Sequence, residues 1–143
     1  MKRNKGFTLP EFLLVFMISA VLIIAIVHQI LLYAEKSKIY ADKQLAESIK
    51  TSLDAALQNP YLEEDDSPEP MERPELLTSI SLTDKFGMKW KELLGSTPEE
   101  VEQQLTSKAY RGQKIYYQIT TENHVIITIP SAKDSKEEEI RLE

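Results

Sequence analysis

A single carboxylate stands at the entrance of a long apolar run near the N-terminus. The stretch KGFTLPEF places Pro10 and Glu11 directly before that run. Thr8-x-x-Glu11 has the spacing of a capping box, in which a Thr begins a helix and the Glu side chain accepts a hydrogen bond from the backbone N–H of that Thr. Pro10 fits the first helical turn, where its missing N–H costs nothing. A cap does not explain, however, why the charge lies on a helix that enters a membrane, where charges are expensive unless paired.

Other residues that could act in catalysis or metal binding are few and scattered. The chain has no cysteine, which excludes disulfides, thiol nucleophiles and thiolate metal sites. His28 and His124 lie on different predicted elements, which argues against a two-histidine metal site. The acidic run at residues 63–66 lacks the spaced ligands and the glycine of a calcium loop, so we interpret it as solvated. With no nucleophile motif or Gly-rich phosphate loop either, we predict no catalytic residues, no metal site and no cofactor.

Basic and aromatic side chains are mixed in two places. Such a mixture can bind single-stranded or backbone DNA. The same aromatic residues are needed to fill a small core, and the net charge of −6 disfavours general affinity for nucleic acid. We therefore favour core and ordinary surface, and expect no nucleic-acid partner. The residues are Lys85, Phe86, Lys89, Trp90 and Lys91 in the first group and Lys108, Tyr110, Arg111, Lys114 and Tyr116 in the second.

The apolar run has the length of a transmembrane helix. Every residue from 12 to 27 is apolar except Ser19, and residues 30–34 extend the run, so that it reaches the roughly 20 residues needed to cross a bilayer. Three basic residues precede the run, whereas Glu35 and Lys36 follow it, which orients the N-terminus to the cytoplasm. The run is longer than the core of a removable signal peptide and no small-x-small cleavage site follows it.

The helix is predicted to continue past the membrane as an amphipathic segment. Apolar residues recur at three- and four-residue steps on one side, with charges on the other. No Gly or Pro lies between Glu11 and Asn59, and Asn59-Pro60 supplies the stop. One helix of about 50 residues, roughly 75 Å long, would result. The apolar side comprises Ile39, Leu45, Ala46, Ile49, Leu53, Ala56 and Leu57; the charged side comprises Lys36, Lys38, Lys43, Glu47, Lys50 and Asp54.

The remaining sequence predicts a small α+β head. Residues 60–75 hold four prolines among seven acids and read as an extended surface loop. A short helix or turn is expected at residues 85–94, before Gly95. Thr97-Pro98-Glu99-Glu100 combines an N-cap, a proline in the first turn and a capping-box glutamate, and so predicts a further helix.

Two strands close the head. Residues 114–121 and 124–130 are rich in Ile, Val, Tyr and Thr, and Glu122-Asn123 separates them at the spacing of a two-residue hairpin. Their apolar faces are expected to pack on the stripe of the amphipathic helix. The charged tail at residues 131–143 is expected to be loose.

The N-terminus resembles the class III signal of type IV pilins and pseudopilins. A short basic leader ends in Gly6, Phe7-Thr8-Leu9-x-Glu11 follows, and an unbroken apolar run comes next. The motif is specific because all of these parts must fall in order. It covers about the first 30 residues, and the plan of a long helix followed by a small head with an antiparallel hairpin is similar to pilins in general. The resemblance therefore implies a pilin-like α+β fold.

The resemblance also implies roles for three residues. Gly6 would end the leader that a prepilin peptidase removes on the cytoplasmic side. Phe7 would become the new N-terminus and be N-methylated. Glu11 would be the fifth residue of the mature chain, where pilins pair a carboxylate with the N-terminal amine of a neighbouring subunit.

Some positions depart from the pilin pattern. Pro10 stands where pilins usually have an aliphatic residue. Ala20 and His28 stand where many major pilins have a glycine and a proline that let the helix melt on assembly. A cysteine pair found in many pilin heads is also missing. These departures put melting in doubt and favour a minor subunit, a pseudopilin or a divergent filament.

The sequence and the resemblance together predict a structural subunit of a type IV pilus-like filament, not an enzyme. Its expected partners are a prepilin peptidase, other copies or related subunits, an assembly platform and the membrane. The precursor would span the inner membrane once and then join an extracytoplasmic filament. One alternative is a pseudopilin of type II secretion or competence DNA uptake; another is a single-pass membrane protein with a binding or sensory head.

The predicted segments are a leader (1–6), a transmembrane and filament-core half (7–34), an amphipathic half (35–59), an acidic Pro-rich loop (60–78), a head (79–130) and a charged tail (131–143).

Overall fold

A computed structural model describes Gly6 and residues 8–143 of the chain. The chain divides into two compact units, Met1–Lys36 and Ser37–Glu143. A single helix, α1 (Leu9–Leu57), contributes to both. The prediction of one uninterrupted helix is confirmed. No Pro or Gly follows the first turn of α1, so nothing in its sequence breaks the helix.

The N-terminal unit consists of the apolar part of α1. Its large apolar side chains are exposed, from Leu9 to Leu32 and on to Tyr33. Among the residues that the structure describes, α1 is the one helix long and apolar enough to cross a membrane. Because water does not tolerate so large an apolar surface, this part of the helix requires lipid or other protein around it.

The second unit contains an antiparallel sheet. Within the described chain, four strands pair in the order β1 (Glu75–Leu76), β2 (Tyr116–Ile119), β3 (Val125–Ile129) and β4 (Ile140–Leu142). Alternate residues of the central strands are buried, as a sheet covered on one face requires. The fold is therefore the pilin-like α+β arrangement, and the predicted hairpin is its centre.

The hairpin loop is one residue longer than the sequence predicted. The N–H of Thr120 donates to the carbonyl of His124 over 2.9 Å, so residues 121–123 form the loop. A two-residue loop of the common type needs positive φ at both positions, which Glu122 does not favour. Asn123 alone adopts a positive φ, of 57°, and a three-residue loop needs only this one.

We had expected the charged tail to be loose, but it ends in a strand. Ile140 pairs with Ile129 and Arg141 with Thr128, and the Ile140 side chain is 4% exposed. The run of charges before it hid the short alternation of Ile140, Arg141 and Leu142. Strand formation is favoured here because Ile140 completes the buried face beside Ile129.

One hydrophobic cluster joins α1 to the rest of this unit. It includes Ile49 and Leu53 from α1, Trp90 from α2 (Lys85–Leu94) and Val101 from α3 (Pro98–Gln103). The inward residues of β2 and β3 belong to the same cluster. Both short helices have side-chain caps: Asp84 accepts the N–H of Gly87, and Thr97 with Glu100 forms the predicted capping box.

Candidate functional site

The Glu11 carboxylate lies in the first turn of α1 and is exposed. Its Oε2 accepts a hydrogen bond from the backbone N–H of Thr8 over 3.1 Å. The first helical hydrogen bond runs from the N–H of Phe12 to the carbonyl of Thr8 over 3.0 Å. Glu11 thus satisfies a donor that the helix itself cannot satisfy, as one half of a capping box.

A carboxylate in this position also interacts favourably with the positive end of the helix dipole. The nearby side chains of Leu9 and Phe12 are apolar, and they are 74% and 62% exposed. In a bilayer or a helix bundle these neighbours leave the charge with little solvation, which makes a cationic partner favourable. A carboxylate has lone pairs left over when it accepts a single capping hydrogen bond.

Gly6 is exposed, and a Cβ placed on it would meet nothing within 4 Å. Neither crowding nor backbone strain at Gly6 dictates a glycine, so its presence is compatible with recognition by another protein. Phe7, the residue expected to be methylated, lies outside the described residues.

Ser19 and His28 are two of the polar residues within the apolar part of α1. The Ser19 hydroxyl donates to the carbonyl of Val15 over 2.8 Å, so its polar group is satisfied within the helix. His28 is exposed on the same helix, whereas His124 lies on the hairpin of the second unit.

Within the acidic run, Glu64–Asp66 forms a short 3-10 helix. Asp66 pairs with Lys85 at 2.6 Å. The hydrogen bond from Lys85 to Asp66, followed by the charges of Asp66 and Glu63, raises the pKa of Lys85. Part of this run is therefore engaged in an ion pair that fixes the loop to the start of α2.

The aromatic members of the basic–aromatic groups are mostly buried. Phe86, Trp90 and Tyr110 are 4%, 0% and 1% exposed, and the indole N–H of Trp90 donates to the Ser52 hydroxyl over 2.9 Å. Lys114 forms an ion pair with Glu102 at 2.9 Å. These rings fill the core and offer no stacking platform for bases, in agreement with the core interpretation.

Two carboxylates of α1 were not singled out from the sequence as structural residues. Asp42 is 1% exposed on the core side of the helix. The pattern assigned Asp54 to the charged side. Its carboxylate accepts a hydrogen bond from the N–H of Val125 over 2.9 Å and forms an ion pair with Lys50. A signal for Asp42 did exist, since it falls three residues after Ile39 and four before Ala46, on the apolar stripe.

Comparison with known protein families finds a match at the N-terminus. Residues 1–27 match the prokaryotic N-terminal methylation motif. This match contains Gly6, Phe7 and Glu11 and the apolar run at residues 12–27. No curated protein sequence and no solved structure matches the chain significantly.

Proposed function

We propose that the chain is a prepilin-type protein of the type IV pilin and pseudopilin kind, inserted in a membrane by its apolar helix, and that it is a structural subunit of a type IV pilus-like filament. The match of residues 1–27 to the methylation motif and the length and apolar character of α1 support this proposal. A prepilin peptidase removes residues 1–6 and leaves Phe7 as an N-methylated N-terminus. The mature chain then polymerises through α1. The observation that carries the proposal is the methylation motif fused to a helix whose apolar half is exposed along its length.

Glu11 is the assembly residue in this proposal. A carboxylate offers about four lone-pair sites, so Glu11 can accept the N–H of Thr8 and the N-terminal amine of a neighbouring subunit together. Two opposite charges at 4 Å attract with about 4 kcal/mol at an effective dielectric constant near 20, against about 1 kcal/mol in water. The attraction is therefore largest where α1 is surrounded by other helices, and it sets the register between subunits.

The precursor spans the membrane once, with its N-terminus in the cytoplasm. The three basic residues among the first five oppose transfer of this end. Residues 7–34 pack in the filament core, residues 35–59 carry the head, and the head faces solvent outside the membrane. Catalysis is left to the assembly machine, since the proposed role of this chain is structural.

A pseudopilin of a type II secretion or DNA-uptake machine is the second candidate. It is favoured by Ala20 and His28, which replace the helix-breaking residues of many major pilins, and by the continuity of α1 through both positions. A continuous helix resists local melting because every lost turn costs cooperative hydrogen bonds.

Filament incorporation tests the proposal. Material sheared from cells that carry the native chain is expected to contain it in pelletable filaments, and deletion of the prepilin peptidase is expected to abolish this signal while the unprocessed precursor stays in the membrane. A processed chain found in the membrane fraction alone, with normal secretion or DNA uptake lost on its deletion, would favour the pseudopilin candidate instead.

A further inference from the structure

A buried carboxylate connects α1 to the loop that follows α3. Asp42 Oδ1 accepts the backbone N–H of Thr106 over 3.0 Å, and Oδ2 accepts the backbone N–H of Ser107 over 3.0 Å. The Ser107 hydroxyl also donates to Oδ2. With Asp42 1% and Ser107 0% exposed, these donors compensate the carboxylate for the water it has lost.

The same loop holds the segment that leads into β4. The Ser107 hydroxyl accepts the N–H of Tyr110 over 3.3 Å. The Tyr110 hydroxyl then donates to the carbonyl of Glu138 over 2.7 Å, two residues before β4 begins. A backbone hydrogen bond from Ala132 to Ala109 of 2.7 Å fixes the start of this segment. Asp42 is thus linked to the C-terminal strand through Ser107 and Tyr110.

Strand β4 is short and lies at the edge of the sheet. It spans three residues at the edge of the sheet and pairs with β3 alone. Of its side chains Ile140 is buried, Leu142 is partly buried and Arg141 is exposed. An edge strand this short opens more easily than the central strands. The hydrogen bond from Tyr110 to Glu138 holds the chain just before it.

We propose that Asp42 is a latch through which the long helix controls the attachment of strand β4 to the sheet. When the latch is closed, the loop at residues 106–110 is fixed on α1 and Tyr110 holds the approach to β4. When it is open, β4 separates locally from β3. The remaining core, centred on Ile49 and Trp90, stays folded.

The chemistry of the latch requires a carboxylate. Both oxygens of Asp42 accept hydrogen bonds from donors, and an amide at this position has only one acceptor oxygen and presents an NH₂ to a donor. Asp42→Asn therefore preserves the shape but leaves one buried donor opposed by another donor. Burial, helped by the charges of Glu137, Asp42 and Glu138, also raises the pKa of Tyr110, so the Tyr110 hydroxyl remains a donor at physiological pH.

Hydrogen exchange on the full-length chain in detergent micelles tests the latch. Asp42→Asn is expected to speed exchange about tenfold or more at residues 106–107 and in β4, with β2 and α1 unchanged. Tyr110→Phe keeps the ring but removes the hydrogen bond to Glu138, and is expected to release β4 while residues 106–107 stay protected. Asp54→Asn is the matched control, since it is expected to affect the start of β3 near Val125 and not β4.

Unchanged exchange of β4 in either Asp42→Asn or Tyr110→Phe would overturn the latch. If Asp42→Asn loses protection in every element, the milder Ser107→Ala decides the matter, because it removes one donor to Asp42 and one acceptor for Tyr110. Selective loss at β4 in Ser107→Ala would support the proposal. Uniform loss, or none, would overturn it.

Discussion

Two acidic residues on the same helix, Glu11 and Asp42, differ in where their partners come from. Asp42 is buried and satisfied by Thr106 and Ser107 within its own chain. Glu11 is exposed among apolar neighbours, and its described bond is to the backbone of Thr8. Asp42 therefore contributes to the fold of one subunit, whereas the charge of Glu11 is used between subunits in the proposed filament.

Substitutions of Glu11 separate its two roles. Glu11→Gln keeps an oxygen for the N–H of Thr8, because glutamine also completes a capping box, but it removes the charge. Both Glu11→Gln and Glu11→Ala are expected to insert in the membrane and be processed normally. Both are expected to be incorporated into filaments at least about tenfold less, since each loss of about 1.4 kcal/mol in pairing free energy lowers the association constant tenfold. Immunoblots of sheared and membrane fractions measure this.

Normal incorporation of Glu11→Gln together with failure of Glu11→Ala would assign Glu11 to capping alone. Normal incorporation of both variants would remove any assembly role. Glu35→Ala is a suitable control, since Glu35 lies at the far end of the apolar run.

Two buried tyrosines predict an alkaline limit to stability. Burial is the main cause that raises the pKa of Tyr110 and of Tyr117 above the ordinary value of 10.0. Because the folded state favours the neutral phenol, the two tyrosines stabilise the folded state fully below pH 10. This stabilisation is lost as the pH rises through the raised pKa. We expect the urea midpoint to be flat between about pH 7 and 9 and to fall above about pH 10.

Tyr117→Phe is expected to make that fall shallower, because one titrating group is removed while the ring remains. Urea unfolding at several pH values, followed by the fluorescence of Trp90, measures the effect. An identical pH dependence in Tyr117→Phe would show that this tyrosine does not limit stability.

Among the elements, α1 combines two environments in one helix. Ile49 and Leu53 are completely buried in the second unit, whereas the large side chains of the apolar run are about half exposed or more. Substitutions in the two parts therefore affect different properties. Those in the buried part change the stability of the head, and those in the apolar run change insertion and assembly.

Ile49→Ala is expected to lower the free energy of unfolding of the head by about 2–5 kcal/mol, because it leaves a cavity in the core. Thr51→Ala, on the exposed side of the same helix, is expected to change it by less than about 0.5 kcal/mol. Urea unfolding followed by Trp90 fluorescence gives both values. Equal effects of the two variants would contradict the assignment of the buried stripe.

The elements that the sequence predicted well are those with a strong local signal. The continuous helix followed from the absence of Gly and Pro, the start of α3 from its capping box at Thr97, and the hairpin from two alternating runs. Strand β4 was missed because three residues after a charged run carry too little periodicity, and its pairing depends on β3 far away in sequence. The position of Asp42 on the apolar stripe was visible in the sequence, but its donors, at Thr106 and Ser107, come together with it only in the folded chain.

The candidate site also has features that the linear sequence indicates and features that depend on tertiary contacts. The order of Gly6, Phe7 and Glu11 before an apolar run was sufficient to indicate the prepilin signal, because a linear motif does not depend on tertiary contacts. The hydrogen bond from Thr8 to Glu11 followed from the capping-box spacing. The latch could not be predicted, since it requires a helix, a loop and an edge strand to meet.

For the whole molecule, the division into two units predicts that the second folds independently. Residues Ser37–Glu143 contain the buried cluster and the sheet, and they lack the exposed apolar run. This fragment is expected to be soluble without detergent and to unfold cooperatively in urea with a buried Trp90. A fragment with solvent-exposed Trp90 emission and no cooperative transition would show that the apolar half of α1 is needed for folding of the head.

The central claim is that this chain is processed as a prepilin, and the mass of its N-terminal peptide tests that claim most directly. The protein is purified from its native membrane or from sheared surface material and digested, and the terminal peptide is identified by mass spectrometry. We predict a peptide that begins at N-methylated Phe7, with residues 1–6 absent. A chain that still begins at Met1, in cells whose prepilin peptidase is active, would contradict the account and leave a plain membrane anchor.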